Sequence, residues 1–115
     1  MALRLGLVVF LVLALASCAQ AGVPTSQPDI TGTITHTATG SILVEERPSD
    51  TAGSAKASIR FTTATAFWRA VSVSAQPATA AELREGQHVM AWFDGPAAMS
   101  YPLQATAKAI LILER

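Results

Sequence analysis

Short segments in which apolar and polar residues alternate constrain the fold of this chain more than any other sequence feature. Residues 30–35 (ITGTIT) place an apolar or small residue at every second position, and residues 57–62 (ASIRFT) resume that alternation. Between them, Ser41–Glu45 is a short, largely β-branched run that can pair back on the first segment as a hairpin. A period of two predicts strands with one buried face, so these segments are expected to form the first three strands of a sheet.

Two later apolar segments predict the remaining strands. His88–Phe93 carries large residues on both faces, and residues 105–113 end in the apolar run ILIL. Residues 63–76 are compatible with a bent strand, a hairpin or an irregular segment that covers the core, and the sequence leaves these alternatives open.

A capping signal precedes the fourth strand. Thr79 and Glu82 have the spacing of a capping box, which marks the start of a helix. Gly86 suits the left-handed backbone conformation that often ends a helix, so one or two helical turns are expected over residues 80–85. Five short strands and one short helix predict an all-β fold, a small five-stranded OB-like, partly closed barrel. An open β-sandwich fragment is the alternative, because periodicity does not fix strand order.

The N-terminus carries a separate signal. Arg4 precedes an uninterrupted apolar run over residues 5–15, which is the layout of a signal peptide and too short for a typical membrane span of about 20 residues. The run ends in Leu15-Ala16-Ser17-Cys18, which resembles the lipobox of bacterial lipoproteins. Cys18 is the sole cysteine in the sequence. We expect cleavage before Cys18 and anchoring to a membrane through lipid on that residue; an ordinary signal peptide is the alternative.

This interpretation divides the chain into three parts. Residues 1–17 form the signal peptide, residues 18–28 the lipidated cysteine and a flexible tether, and residues 29–115 the barrel domain. Removal of residues 1–17 leaves seven basic and eight acidic residues. Because a near-neutral chain without a basic cluster lacks the charge that binds phosphates, we expect no nucleic-acid partner. The expected location is the cell envelope, on the extracytoplasmic side of a bacterial membrane.

The order and spacing of several segments resemble the YobA-like family of secreted bacterial domains of unknown function. These segments are residues 30–34 (ITGTI), 42–45 (ILVE), 86–89 (GQHV) and 92–107 (WFDGPAAMSYPLQATA), of which the last is the most specific. The resemblance covers most of residues 29–113. It implies an OB-like barrel, often carried behind a signal peptide or on a lipoprotein, and it implies no activity.

The connection between the fourth and fifth strands is the candidate contact region, because in OB folds this loop commonly borders the ligand face. Tyr101 offers an apolar ring and a hydroxyl, and nearby prolines restrict the backbone, which lowers the entropy cost of binding. Alternatively, Tyr101 is a structural plug at the barrel end and the prolines only shape the turn. The candidate contact residues are Trp92, Asp94, Gly95, Pro96, Ser100, Tyr101, Pro102 and Gln104.

Two aromatic clusters, Trp92-Phe93 and Phe67-Trp68-Arg69, suggest glycan stacking or a cation–π contact, although core packing is the more frequent role. Adjacent residues of a strand face opposite sides. One of Trp92 and Phe93 is therefore expected to be buried and the other to reach the outer face.

No catalytic or metal-binding pattern stands out. His36 with Asp29, or His88 with Asp94, follows no known metal-ligand spacing, and neither a Gly-x-Ser-x-Gly elbow nor a Ser-x-x-Lys motif occurs. We expect no enzymatic activity, no metal and no cofactor. The predicted function is a non-catalytic module that docks another envelope protein; a domain that binds a small ligand or a cell-wall glycan is the alternative.

Overall fold

The computed structural model describes residues 22–47 and 55–113. It contains β1 (Ile30–Ala38), β2 (Ser41–Glu45), β3 (Lys56–Arg60), β4 (Ala66–Val71), β5 (Ser74–Pro77), β6 (His88–Phe93) and β7 (Leu103–Leu113). The predicted signal peptide, Cys18 and the first residues of the predicted tether lie outside the described residues.

Five of these strands close into a barrel. β1 pairs antiparallel with both β2 and β6, β2 pairs with β3, and β6 pairs with β7. The circle is completed by a parallel pairing of β3 with the first half of β7, in which Ala57 lies opposite Leu103 and Arg60 opposite Thr106. The predicted all-β class and five-stranded barrel are confirmed. The barrel was predicted to be partly closed but is closed, which leaves its five strands without a free edge between them.

Alternation along the strands fills the barrel with small and β-branched side chains. In β2, Ile42 and Val44 point inward and are buried, whereas the residues between them are half-buried on the outer face. The core consists of Ile30, Ile34, Ile42, Val44, Ala57, Ile59, Val89, Ala91, Ala107, Ile110 and Ile112. This strand periodicity is the pattern from which the strands were predicted.

The segment left open by the sequence, residues 63–76, forms most of a hairpin of β4 and β5. β4 runs parallel to the second half of β7, with Phe67 opposite Ile110, and β5 pairs antiparallel with β4. Phe67 meets the ring of Phe61 edge to face, with the ring centroids 5.4 Å apart. The hairpin therefore extends the sheet beyond the barrel.

The predicted helix is shorter than expected. A single 3-10 turn covers Ala80–Glu82, and the chain turns extended at Leu83. The capping interaction is present on the glutamate side, since the Glu82 carboxylate accepts a hydrogen bond from the Thr79 N–H at 3.2 Å. Gly86 has the expected left-handed conformation (φ 94°). Within the described ranges, no helix has the length and apolar character needed to cross a membrane.

The last part of the predicted tether lies against the barrel. The Asp29 N–H donates to the Ala91 carbonyl at 2.9 Å, and the Asp29 carboxylate accepts from the Phe93 N–H at 2.8 Å. Three residues earlier, the Ser26 carbonyl accepts a hydrogen bond from the Trp92 indole N–H at 2.9 Å. Ser26 is thus held on β6, although the sequence placed it in a flexible segment.

Candidate functional site

The connection between β6 and β7, residues 94–102, is held by hydrogen bonds along its length. The Asp94 N–H donates to the Thr106 carbonyl at 2.7 Å, and the Ala98 N–H donates to the Gln104 carbonyl at 2.8 Å. Near the far end of the loop, the Ser100 hydroxyl donates to the Pro102 carbonyl at 2.8 Å. These bonds fix the backbone around the candidate residues.

Two large side chains project from this connection. Met99 is 92% exposed and Tyr101 is 67% exposed, so neither fills the barrel end. Asp94, Gly95, Pro96 and Ser100 are exposed as well, and Pro102 is half-buried. The connection therefore offers an apolar and aromatic surface on a hydrogen-bonded loop.

Lys56 links Tyr101 to the barrel. Its ammonium nitrogen lies 5.5 Å from the centroid of the Tyr101 ring, within the range of a cation–π contact. The same nitrogen lies 3.8 Å from a carboxylate oxygen of Glu45, and the other carboxylate oxygen accepts a hydrogen bond from the Thr35 hydroxyl at 2.7 Å. A polar chain of four residues thus joins β1, β2, β3 and the connection.

Sequence reasoning missed Glu45 and Lys56, although a signal was present. Glu45 ends β2 and Lys56 begins β3, and the two face each other in the antiparallel register. Opposite charges at the adjoining ends of two successive strands are a favourable cross-strand pair. The predicted third strand began one residue too late, at Ala57, and so left Lys56 in the preceding loop.

Gln104, the last of the predicted contact residues, lies on the outer face of the barrel. It is exposed and sits opposite Ser58 in the parallel register of β3 and β7. The outer face of this ladder continues to Arg60, which lies opposite Thr106 in the last pair. Gln104 therefore shares the outer face of this ladder with Ser58 and Arg60.

Trp92 does not belong to the exposed surface. Its side chain is buried, with 4% exposure, and its indole N–H is bonded to Ser26. Phe93 is half-buried and packs against the core cluster. Neither residue projects freely, and the register of β6 and β7 shifts between them. Among the aromatic side chains of the described residues, Tyr101 alone is exposed.

The histidine pairings considered from the sequence are not brought together. His36 has its Nδ1 atom 3.9 Å from a Glu85 carboxylate oxygen, whereas Asp29 bonds to Phe93. His88 begins β6 and Asp94 follows the end of that strand. In the part of the chain that the structure describes, no three His, Cys, Asp or Glu side chains converge as metal ligands would.

Comparison with known proteins identifies a family but supplies no characterised relative. Separate comparisons with curated proteins and with solved structures gave no match. A family model matches residues 31–114, a range that begins in β1 and contains all seven strands except the first residue of β1. The chain therefore belongs to the family described as Protein of unknown function (DUF3221).

Proposed function

We propose that this chain is a bacterial lipoprotein, anchored by lipid on Cys18, whose barrel is a non-catalytic module that docks another protein of the cell envelope. The connection between β6 and β7 supplies the contact. The anchor rests on the sequence at residues 15–18, and labelled fatty acid should be incorporated by the natural chain but not by Cys18→Ala.

The main observation that supports the proposal is the exposure of Met99 and Tyr101 on a hydrogen-bonded loop. Neighbouring exposed apolar side chains on a soluble domain can mark an interaction site, and Met99 and Tyr101 lie two residues apart on this loop. Tyrosine and methionine are both enriched in the buried centres of protein–protein interfaces, where they contribute large contact area. A loop whose backbone is already fixed loses less conformational entropy when it binds.

Contacts with barrel residues support the orientation of the Tyr101 side chain. The Lys56 ammonium group lies beside its ring, and Glu45 holds Lys56 from the opposite side. Because Glu45 is itself bonded to Thr35, the contact residue connects to three barrel strands. Side chains that support one another in this way keep a binding surface in one arrangement.

A glycan-binding domain is the second candidate. It is less well supported, because sugar recognition commonly uses an exposed aromatic platform and both tryptophans of the described chain are at least half-buried. Tyr101, with Gln104 nearby in the sequence, would have to serve that purpose alone.

Affinity capture distinguishes these functions. The soluble part, residues 19–115, is used as bait in solubilised envelope extract beside a Tyr101→Ala variant of equal thermal stability. Val73→Ala is the matched control, because Val73 is fully exposed in the turn between β4 and β5, away from the connection. We expect a protein that is enriched by the natural and Val73→Ala baits and lost with Tyr101→Ala.

Two other results would count against the proposal. Equal capture by all three baits would show that the connection is not the contact surface. Absence of any enriched protein, together with a change in tryptophan fluorescence when cell-wall fragments are added, would favour the glycan-binding alternative.

A further inference from the structure

We infer that the partner presents an acidic segment to the outer face of β2, β3 and β7, beside Tyr101. This inference rests on the proposed function and specifies the chemistry of the partner. It comes from two cations on the outer face of β3, Lys56 and Arg60, and from the exposed Lys108 on β7, the strand with which β3 pairs.

Two of these cations share the outer face of β3. Ala57 and Ile59 of β3 are fully buried, so Lys56 and Arg60, which alternate with them, point outward. Arg60 lies opposite Thr106 in the parallel pairing with β7. Lys108 is exposed two residues beyond Thr106, past the last β3–β7 pair and at the register shift between β6 and β7.

Two of the three cations form no ion pair with another described residue. Glu45 offsets Lys56 through the 3.8 Å contact. Arg60 and Lys108 are both exposed and, among the described residues, neither has an ion pair or a side-chain hydrogen bond. Glu82 and Glu85 lie in a different part of the molecule, the connection that leads into β6. Glu46 is exposed directly after β2, where its N–H donates to the Ala55 carbonyl beside Lys56, so the unpaired cations are Arg60 and Lys108.

The neighbouring side chains favour a protein as the acidic partner. Ser58 and Gln104 face each other between the cations and can hydrogen-bond an extended main chain. Tyr101 and Met99 extend this surface at the β6–β7 connection, and tyrosine, methionine and arginine are enriched in the centres of protein–protein interfaces. Complementary charge then selects an acidic segment and increases the rate of association.

Titration with synthetic polymers tests the charge preference. The full chain, processed from its own leader and purified in a neutral detergent, is titrated with poly-L-glutamate, poly-L-lysine and inorganic polyphosphate at low salt. Three variants are compared: Arg60→Gln, Lys108→Gln and, as the matched control, Arg84→Gln, which removes an exposed cation next to Glu85. We expect poly-L-glutamate to bind and poly-L-lysine not to bind. Each of the first two variants should weaken poly-L-glutamate binding roughly threefold, and the control should not.

The other outcomes overturn the inference. Equal binding by all variants, or insensitivity to added salt, would show that the face does not select acidic chains. Binding of polyphosphate but not poly-L-glutamate would assign the face to a phosphate-bearing polymer or lipid headgroup instead.

The capture experiment separates this inference from the proposed function. Suppose that a partner is lost with Tyr101→Ala but is still captured by the double variant Arg60→Gln/Lys108→Gln, even in high salt. This result would support the docking function and overturn the inference that the partner presents an acidic segment. Failure to capture any partner, together with poly-L-glutamate binding that depends on Arg60 and Lys108, would overturn the proposed docking function and leave the preference for acidic chains.

Discussion

At the scale of single residues, Gly32 determines how closely β1 and β2 approach each other. A Cβ atom at this position would overlap the carbonyl oxygen of Glu45 and lie 2.7 Å from its carbonyl carbon. These are backbone atoms of β2 and cannot rotate away. Replacement of Gly32 by alanine should therefore lower the free energy of unfolding by about 2 kcal/mol, measured by urea denaturation. Thr31→Ala, an exposed change on the same strand, should leave stability within about 0.5 kcal/mol. Equal effects of the two changes would contradict this account of Gly32.

The candidate site shows what single residues do and do not reveal in a sequence. Tyr101 could be named as a loop candidate because of the turn-forming residues around it, but the sequence left open whether its side chain projects or fills the barrel end. Trp92 was also predicted as a contact residue, yet its side chain is buried, because alternation does not show what covers a strand. Glu45 and Lys56 were missed because their contact depends on the register of two strands, which was not assigned residue by residue.

At the scale of elements, sequence reasoning succeeded where a strand pairs with its neighbour or carries a full apolar run. β2 and β6 were predicted with their observed bounds. The hairpin of β4 and β5 was not resolved, because β4 is half-buried at four successive positions and so shows no clear alternation. Its position depends instead on parallel pairing with β7, which lies about 40 residues later in the chain.

The outer edge of β5 illustrates how this hairpin avoids unwanted pairing. The Ala78 N–H donates to the Phe67 carbonyl of β4, so alternation directs the amides of residues 75 and 77 outward. Position 77 is proline, which has no N–H to donate. Pro77→Thr should create an outward donor and promote edge-to-edge association, seen as a concentration-dependent increase in sedimentation coefficient. Gln76→Thr, whose amide points toward β4, is the control. A Pro77→Thr protein that stayed monomeric would show that residue 77 does not protect the edge.

At the scale of the whole molecule, the segment before β1 connects the expected membrane anchor to the barrel. Eight residue steps separate Cys18 from Ser26, which limits their separation to about 28 Å. The barrel itself could be predicted from five short segments with strand-like patterns and from the short chain. The attachment of this segment could not, because residues 22–28 have no strand periodicity and Ser26 is held by a hydrogen bond from Trp92 of β6, far away in sequence.

The two tryptophans offer a test of this attachment. The Trp92 indole N–H bonds to the Ser26 carbonyl, whereas the Trp68 indole N–H is buried without an acceptor among the described residues. Replacement of either by phenylalanine removes the same atoms. Trp92→Phe should lose a hydrogen bond of about 1 kcal/mol and speed amide hydrogen exchange in residues 22–28. Trp68→Phe should lower the free energy of unfolding by about 1 kcal/mol less than Trp92→Phe does, because it breaks no hydrogen bond and leaves no acceptor unsatisfied. If Trp92→Phe left amide exchange in residues 22–28 unchanged, the barrel would not hold this segment through Trp92. The distance between the barrel and the membrane would then depend on other contacts.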